Sequence, residues 1–275
     1  MKKIFTMIAF AISMSAMAQT NKTLDTSELT AFYDYTIRTQ DDNGEDVTDS
    51  LQLALQVGTR ATNCTAAWMY NNDDSGDERR YTYMMHHQNV LTDVENKEVI
   101  CVETIYPNNY ETHEPMAEIK WVLTNDTMTI ASLLCHRATG ELYGKRWTAW
   151  YAEDIPTSAG PWKLRGLPGL IVKAEDAEGI HCFSLYETKN ESREIDYAEH
   201  PDYQKVSRKQ LMAFKKKVLG NARYPKDPTH YVAQGFEPML AIRTSASKET
   251  LSFTGMTTRM MILAKSHVYQ PLELK

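Results

Sequence analysis

From Ala31 to Val57 the chain reads AFYDYTIRTQDDNGEDVTDSLQLALQV, and its period decides the fold class. Ala31, Tyr33, Tyr35 and Ile37 recur at every second position. After the turn-forming Asp41-Asp42-Asn43-Gly44 the same period returns in Leu51, Leu53, Leu55 and Val57. Successive side chains of a strand point to opposite faces, so a two-residue period sets one apolar row against a core and one polar row toward water. The stretch therefore predicts two half-buried strands of an antiparallel sheet.

Further strands are predicted in EVICVETIY (98–106), EIKWVLT (118–124), MTIASLLC (128–135), KRWTAWY (145–151), GLIVKAE (169–175) and IHCFSLYET (180–188). The polar groups TND (124–126), ATGE (138–141) and DAEG (176–179) read as the turns of a meander. Helix signals are fewer. Ser207 and Gln210 form a capping box ahead of Leu211, Phe214 and Val218, with Gly220 at the C-terminal cap position. The lysines of FKKKVLG (214–220) are expected to face water near the helix C-terminus. A second helix is predicted over DERRYTYMMHHQNVL (77–91). The sum is a mainly β protein of α+β class: a single curved antiparallel sheet or half-barrel with one or two packed helices.

Residues 1–18, MKKIFTMIAFAISMSAMA, join Lys2 and Lys3 to an apolar run and a small-x-small end, the pattern of a cleaved signal peptide. Residues 19–275 are expected to form one domain, exported to the periplasm or cell envelope and soluble, with no transmembrane segment in the mature chain. Removing two lysines leaves 28 basic against 36 acidic residues, about −8, which argues against nucleic acid as partner.

Four cysteines in an exported chain read as disulfide candidates, Cys64 with Cys101 and Cys135 with Cys182, among three possible connectivities. Their spacing matches no zinc pattern, and no metal or other cofactor is expected. The soft groups of YMMHH (83–87) and TGMTTRMM (254–261) would suit copper but lack a shared face. His136 cannot activate Cys135, because strand neighbours point apart. No G-x-S-x-G occurs for a serine hydrolase. Asp176 and Glu178 fall at a turn and read as solvated caps.

The densest punctuation is GPWKLRGLPGLIVKAED, Gly160 to Asp176. Pro168 and Gly169, between Leu167 and Leu170, suit a type II turn with Gly169 at positive φ. Gly166 adds a second permissive position, and Gly160-Pro161 holds the approach. Leu170 and Ile171 open a buried-type strand. Trp147, Trp150, Tyr151 and Trp162 surround this corner and are candidate ligand-binding aromatics.

With CHRATGELYGKRWTAWYAEDIP ahead of it, this stretch resembles the signature of the GLPGLI family, secreted proteins of Bacteroidetes named for Gly166 to Ile171. The closing YQPLEL (269–274) is similar to the family's Asn-Pro-Ile-Glu-Leu ending. The resemblance implies a cell-envelope protein without an established activity, of a kind often encoded near TonB-dependent outer-membrane receptors. Asp126-Thr127-Met128 resembles the Asp-Ser/Thr-apolar motif of Bacteroidetes O-glycosylation, with Thr127 in an expected turn; Ser50 is a second, poorer match. The functional expectation is a nonenzymatic envelope protein that binds a peptide, lipid or outer-membrane receptor partner. The alternatives are an envelope hydrolase with dispersed catalytic residues or a periplasmic copper binder.

Overall fold

A computed structural model of the chain describes residues 21–41, 43–71, 88–105, 108–218 and 270–274. Fourteen strands and two helices occur among them. Two meanders make up the main sheet. The first comprises β2 (Leu29–Gln40), β3 (Asp46–Val57), β4 (Ala61–Ala66), β5 (Asn89–Asp93), β6 (Glu98–Ile105) and β7 (Asn108–Pro115). The second comprises β8 (Val122–Ile130), β9 (Leu133–Leu142), β10 (Lys145–Ala152), β11 (Leu170–Asp176) and β12 (His181–Lys189). They join where β12 pairs antiparallel with β2, from His181 opposite Ile37 to Lys189 opposite Thr30. A two-residue β14 (Gln204–Lys205) adds to β7 as the one parallel pair among the described residues.

Curvature follows from connectivity. β7 and β8 lie near opposite ends of the sheet, yet residues 116–121 alone connect them. Eleven strands laid flat would separate these two by about 48 Å, whereas a six-residue link reaches at most about 25 Å. The sheet must therefore curl until its ends approach. It does so without closing into a barrel.

The alternating rows identified in sequence line the concave side: Tyr33, Tyr35, Ile37, Leu51, Leu53 and Leu55 are each no more than 1% exposed. Ala159, Trp162, Leu164, Leu167 and Leu272 belong to the same core cluster, so the interior is filled by the connection between β10 and β11 and by the PLEL segment. Outside, β1 (Asn21–Ser27) and β13 (Arg193–Ala198) form a separate two-stranded sheet, and Ile195 packs on Ala61, Leu91 and Ile100. The short α1 (Ala67–Tyr70) covers Phe32 and Ala54. The capping box forms as expected at the start of α2 (Arg208–Val218): Gln210 N donates to Ser207 Oγ at 3.3 Å, and Ser207 N donates to Gln210 Oε1 at 2.9 Å. Its Leu211 packs on Ile105 and Tyr110.

Several expectations are corrected. Residues 118–121 precede β8 rather than forming strand, and TND lies inside β8, where pairing with β9 shifts between Leu123 and Thr127. The turns fall instead at Ala131-Ser132 (φ 49° and 65°) and Tyr143-Gly144 (φ 49° and 85°), the paired left-handed residues that two-residue hairpins require. Val90 and Leu91 belong to β5, not to a helix; residues 77–87 of that prediction lie outside the described residues, as does Gly220. The strands β1, β7 and β13 carry no sequence alternation clear enough to announce them.

All four cysteines are free. Cys64 and Cys101 face Val90 from opposite sides, two strand spacings or about 10 Å apart, beyond the roughly 7 Å limit between disulfide Cα atoms. Cys135 on β9 and Cys182 on β12 are separated by β10 and β11.

Candidate functional site

The arm from Glu153 to Gly169 crosses the concave side because its glycines permit close approach. At Gly169 a β-carbon would lie 2.2 Å from the Ala152 carbonyl oxygen, and at Gly160 it would lie 2.6 Å from that of Leu164. Gly169 is thus needed for contact. The left-handed residue of the corner is Gly166, at φ 95°. Trp121 Nε1 donates to the Arg165 carbonyl at 2.8 Å, and Gly166 N donates to Ser158 O at 2.8 Å, folding the arm back on itself. Leu167, Leu170 and Ile171 are buried, while Gly166 and Pro168 are exposed.

Three of the four candidate aromatics are interior. Trp147, Tyr151 and Trp162 are buried, with the Trp147 and Trp162 rings 5.8 Å apart, whereas Trp150 is half-buried at the margin of the core. Trp162 is held in a left-handed conformation (φ 54°), its N–H directed at Cys64 Sγ (3.3 Å) and its Nε1 at Gln88 Oε1 (2.7 Å).

Next to it, Lys163 is drawn out of water into a clamp. Its Nζ meets Glu114 Oε1 at 2.5 Å and Glu273 Oε1 at 2.7 Å, while Arg208 Nε meets Glu273 Oε2 at 2.7 Å. Two cations thus balance two carboxylates. Burial works against the charge on Lys163, but Cys101, Glu273 and Glu114 outweigh it and hold the lysine above its ordinary pKa. Burial likewise raises Glu273, yet Lys163 and Arg208 bring it below the usual glutamate value. The clamp ties together the arm, β7, α2 and the PLEL segment. A second buried chain runs from Trp162 through Gln88 and Glu103 to Lys215. Lys215 is therefore not solvated as its sequence context suggests.

Asp176 also departs from expectation, being 3% exposed. It accepts from Lys145 Nζ (2.7 Å) and from the N–H groups of Ile180 (2.7 Å) and His181 (3.0 Å). His181 lies 3.2 Å from Pro271 O through Nε2 and 2.8 Å from Tyr35 OH through Nδ1. The carbonyl can only accept, which makes Nε2 the donor and Nδ1 the acceptor from Tyr35. Burial, with Lys145 nearby, pushes the His181 pKa down to about 4. Burial also pushes the Cys64 thiol up to about 12, leaving a thiol rather than a thiolate.

An open concavity lies at the rim. A cleft of 710 Å³ forms where the arm meets the β1–β2 turn, the β3–β4 turn and the end of β12. Its lining includes Thr59, Thr62, Thr157, Ser158 and Arg165, with apolar patches from Leu29, Val57 and Ile155. The β3–β4 lip is fixed by Asp25, whose carboxylate accepts from Arg60 N (2.5 Å) and Ala61 N (3.1 Å). Thr127, the glycosylation candidate, lies exposed on β8 opposite His136, in a strand and not a turn. Among the described residues, no group of three or more His, Cys, Asp or Glu side chains could hold a metal ion. The YMMHH and TGMTTRMM segments lie outside them. Sequence reasoning passed over Lys163, Arg165, Glu114 and Glu273; two cations set into the apolar WKLRGL run were the available signal.

A family model described as "Protein of unknown function (Porph_ging)" matches residues 141–173, from the end of β9 through the arm into β11. No curated protein matches the chain in sequence. Among solved structures, "Structure of PNGF-II in P21 space group" is similar at a TM-score of 0.44 and 14% identity, covering 66% of this chain and 32% of that one. "Structure of PNGF-II in C2 space group" gives 0.43 and 14% over the same shares. The chain spans about a third of the length of those proteins. No helix among the described residues is long and apolar enough to cross a membrane.

Proposed function

We propose that the chain is an exported, nonenzymatic cell-envelope protein of the GLPGLI type that binds a peptide segment of a partner in the rim cleft. A TonB-dependent outer-membrane receptor is a fitting source of that segment. The observation that carries this reading is the cleft itself, a 710 Å³ concavity built by the signature arm. Hydroxyls of Thr59, Thr157 and Ser158 suit the polar backbone of an extended peptide, and the small apolar patches suit its side chains. A lipid is the weaker occupant, because the half-barrel interior that would shelter an acyl chain is packed with Trp162, Leu164, Leu167 and Leu272.

A photo-crosslinking residue in place of Ser158, in the native envelope, tests the proposal. Ser158 is exposed at the cleft and is expected to yield a discrete polypeptide adduct. The same probe at Met128, exposed on β8, should not. Adducts from Met128 alone would overturn the assignment.

A further inference from the structure

Arg165 differs from the other cations withdrawn from water. Lys145, Lys163, Arg208 and Lys215 each contact a carboxylate. Arg165 is half-buried in the cleft, and among the described residues its guanidinium has neither an ion-pair partner nor a hydrogen-bond acceptor. Its carbonyl accepts from Trp121 Nε1, and the N–H of the following Gly166 donates to Ser158 O, so the side chain starts from a fixed point. Burial lowers its pKa, but a guanidinium remains ionised at neutral pH. A partly desolvated charge with unfilled N–H donors calls for an anion.

We propose that Arg165 is a carboxylate subsite, which receives either the C-terminal carboxylate or an acidic side chain of the bound peptide. This rests on the peptide-binding reading of the cleft. A planar carboxylate matches the guanidinium fork with two parallel hydrogen bonds. Glu28 and Asp154 also line the cleft, disfavouring a multiply charged anion such as phosphate while tolerating a single carboxylate beside amide or ammonium groups. The hydroxyls of Thr157 and Ser158 stand in the same arm to accept or donate to the adjoining backbone.

The test uses the full mature chain and four pools of fluorescently labelled tetrapeptides, with and without Asp and Glu, each with a free or an amidated C-terminus. Fluorescence anisotropy is expected to show binding of a carboxylate-bearing pool and at least about tenfold weaker binding once that carboxylate is removed. Which pools lose affinity tells the C-terminus from an acidic side chain. R165Q should lose the same factor for the favoured pool and no longer discriminate among pools. Its melting temperature without peptide should not fall, since the guanidinium has no ion-pair or hydrogen-bond partner among the described residues and Gln keeps part of the aliphatic stem; an arginine with a structural polar role would lower it. R165Q that discriminates as wild type does, or wild type that binds carboxylate-free pools equally well, overturns the subsite while leaving peptide binding intact. Absence of binding to every pool, together with no Ser158 adduct, overturns both.

Discussion

Replacing Lys163 by Met would leave Glu114 and Glu273, respectively 8% and 2% exposed, sharing Arg208 as their remaining clamp cation. At an effective dielectric near 20, each contact of 2.5–2.7 Å represents roughly 6 kcal/mol of raw attraction, much of it offset by the cost of withdrawing both charges from water. Removing one partner strands the other, and such losses run to about 3–5 kcal/mol. Against a total stability of roughly 5–15 kcal/mol, Lys163→Met should bring the protein near its unfolding threshold. Urea denaturation followed by circular dichroism measures this. Pairing the change with Glu273→Gln should recover part of the loss, because the stranded charge is removed too. The pH dependence carries the sign. A carboxylate whose folded pKa is depressed, as for Glu273, contributes stability above its unfolded pKa and loses it as pH falls through the folded value. The gap between wild type and Lys163→Met should accordingly hold from neutrality down to about pH 4.5 and narrow as the pH falls below it. A loss below about 1 kcal/mol at pH 7, or a gap independent of pH, would refute the clamp.

Gly169→Ala should destabilise by about 1–3 kcal/mol through collision with the Ala152 carbonyl, and more than Gly166→Ala, where only the positive φ resists a side chain; thermal melts giving the reverse order would contradict this. His181 is expected to stay neutral on the NMR timescale down to about pH 4. Because the unfolded histidine takes its proton near 6.5 and the folded one does not, stability should decline as pH falls through that window, by up to about 3 kcal/mol. A flat profile between pH 6.5 and 4, or an imidazole titrating near 6.5, would be inconsistent with the buried tautomer. Native protein should leave Cys64, Cys101 and Cys135 unreactive toward a thiol reagent, and urea should expose all four thiols; nonreducing peptide mapping that finds a cystine would be decisive against free cysteines.

The β-rich class and the central hairpin could be read because Ala31 to Ile37 and Leu51 to Val57 set an unbroken apolar row on the concave face against an outer row that is mostly polar, Phe32 and Ala54 beneath α1 excepted, which prints a period of two on the sequence. Edge and outer strands print less. β8 is exposed along nearly its whole length, so TND resembled a turn, and β13 buries Ile195 on a second layer that local sequence cannot announce. The corner was legible as glycine-dependent, but the role of each glycine was not: Gly169 is required by the Ala152 backbone across a strand boundary, a contact made only after folding. The candidate site was the least legible. Lys163 and Arg165 lie two residues apart, yet one meets carboxylates contributed by β7 and the PLEL segment while the other faces an open cleft. Composition cannot distinguish a paired cation from a vacant one.

The seam between β2 and β12 has a kinetic consequence. Within either meander the longest connections are residues 67–88, between β4 and β5, and the arm 153–169, between β10 and β11, whereas Tyr35 meets His181 across 146 residues. Loop-closure entropy favours the hairpins first, so each half-sheet can assemble while β2 and β12 still present unpaired edges. Those edges complement each other whether they belong to one chain or two. At high concentration, refolding thus pits intramolecular closure against exchange of halves between molecules. The arm and the PLEL segment, which enter the interior from opposite sides of the sequence, favour whichever closure brings all their partners within reach.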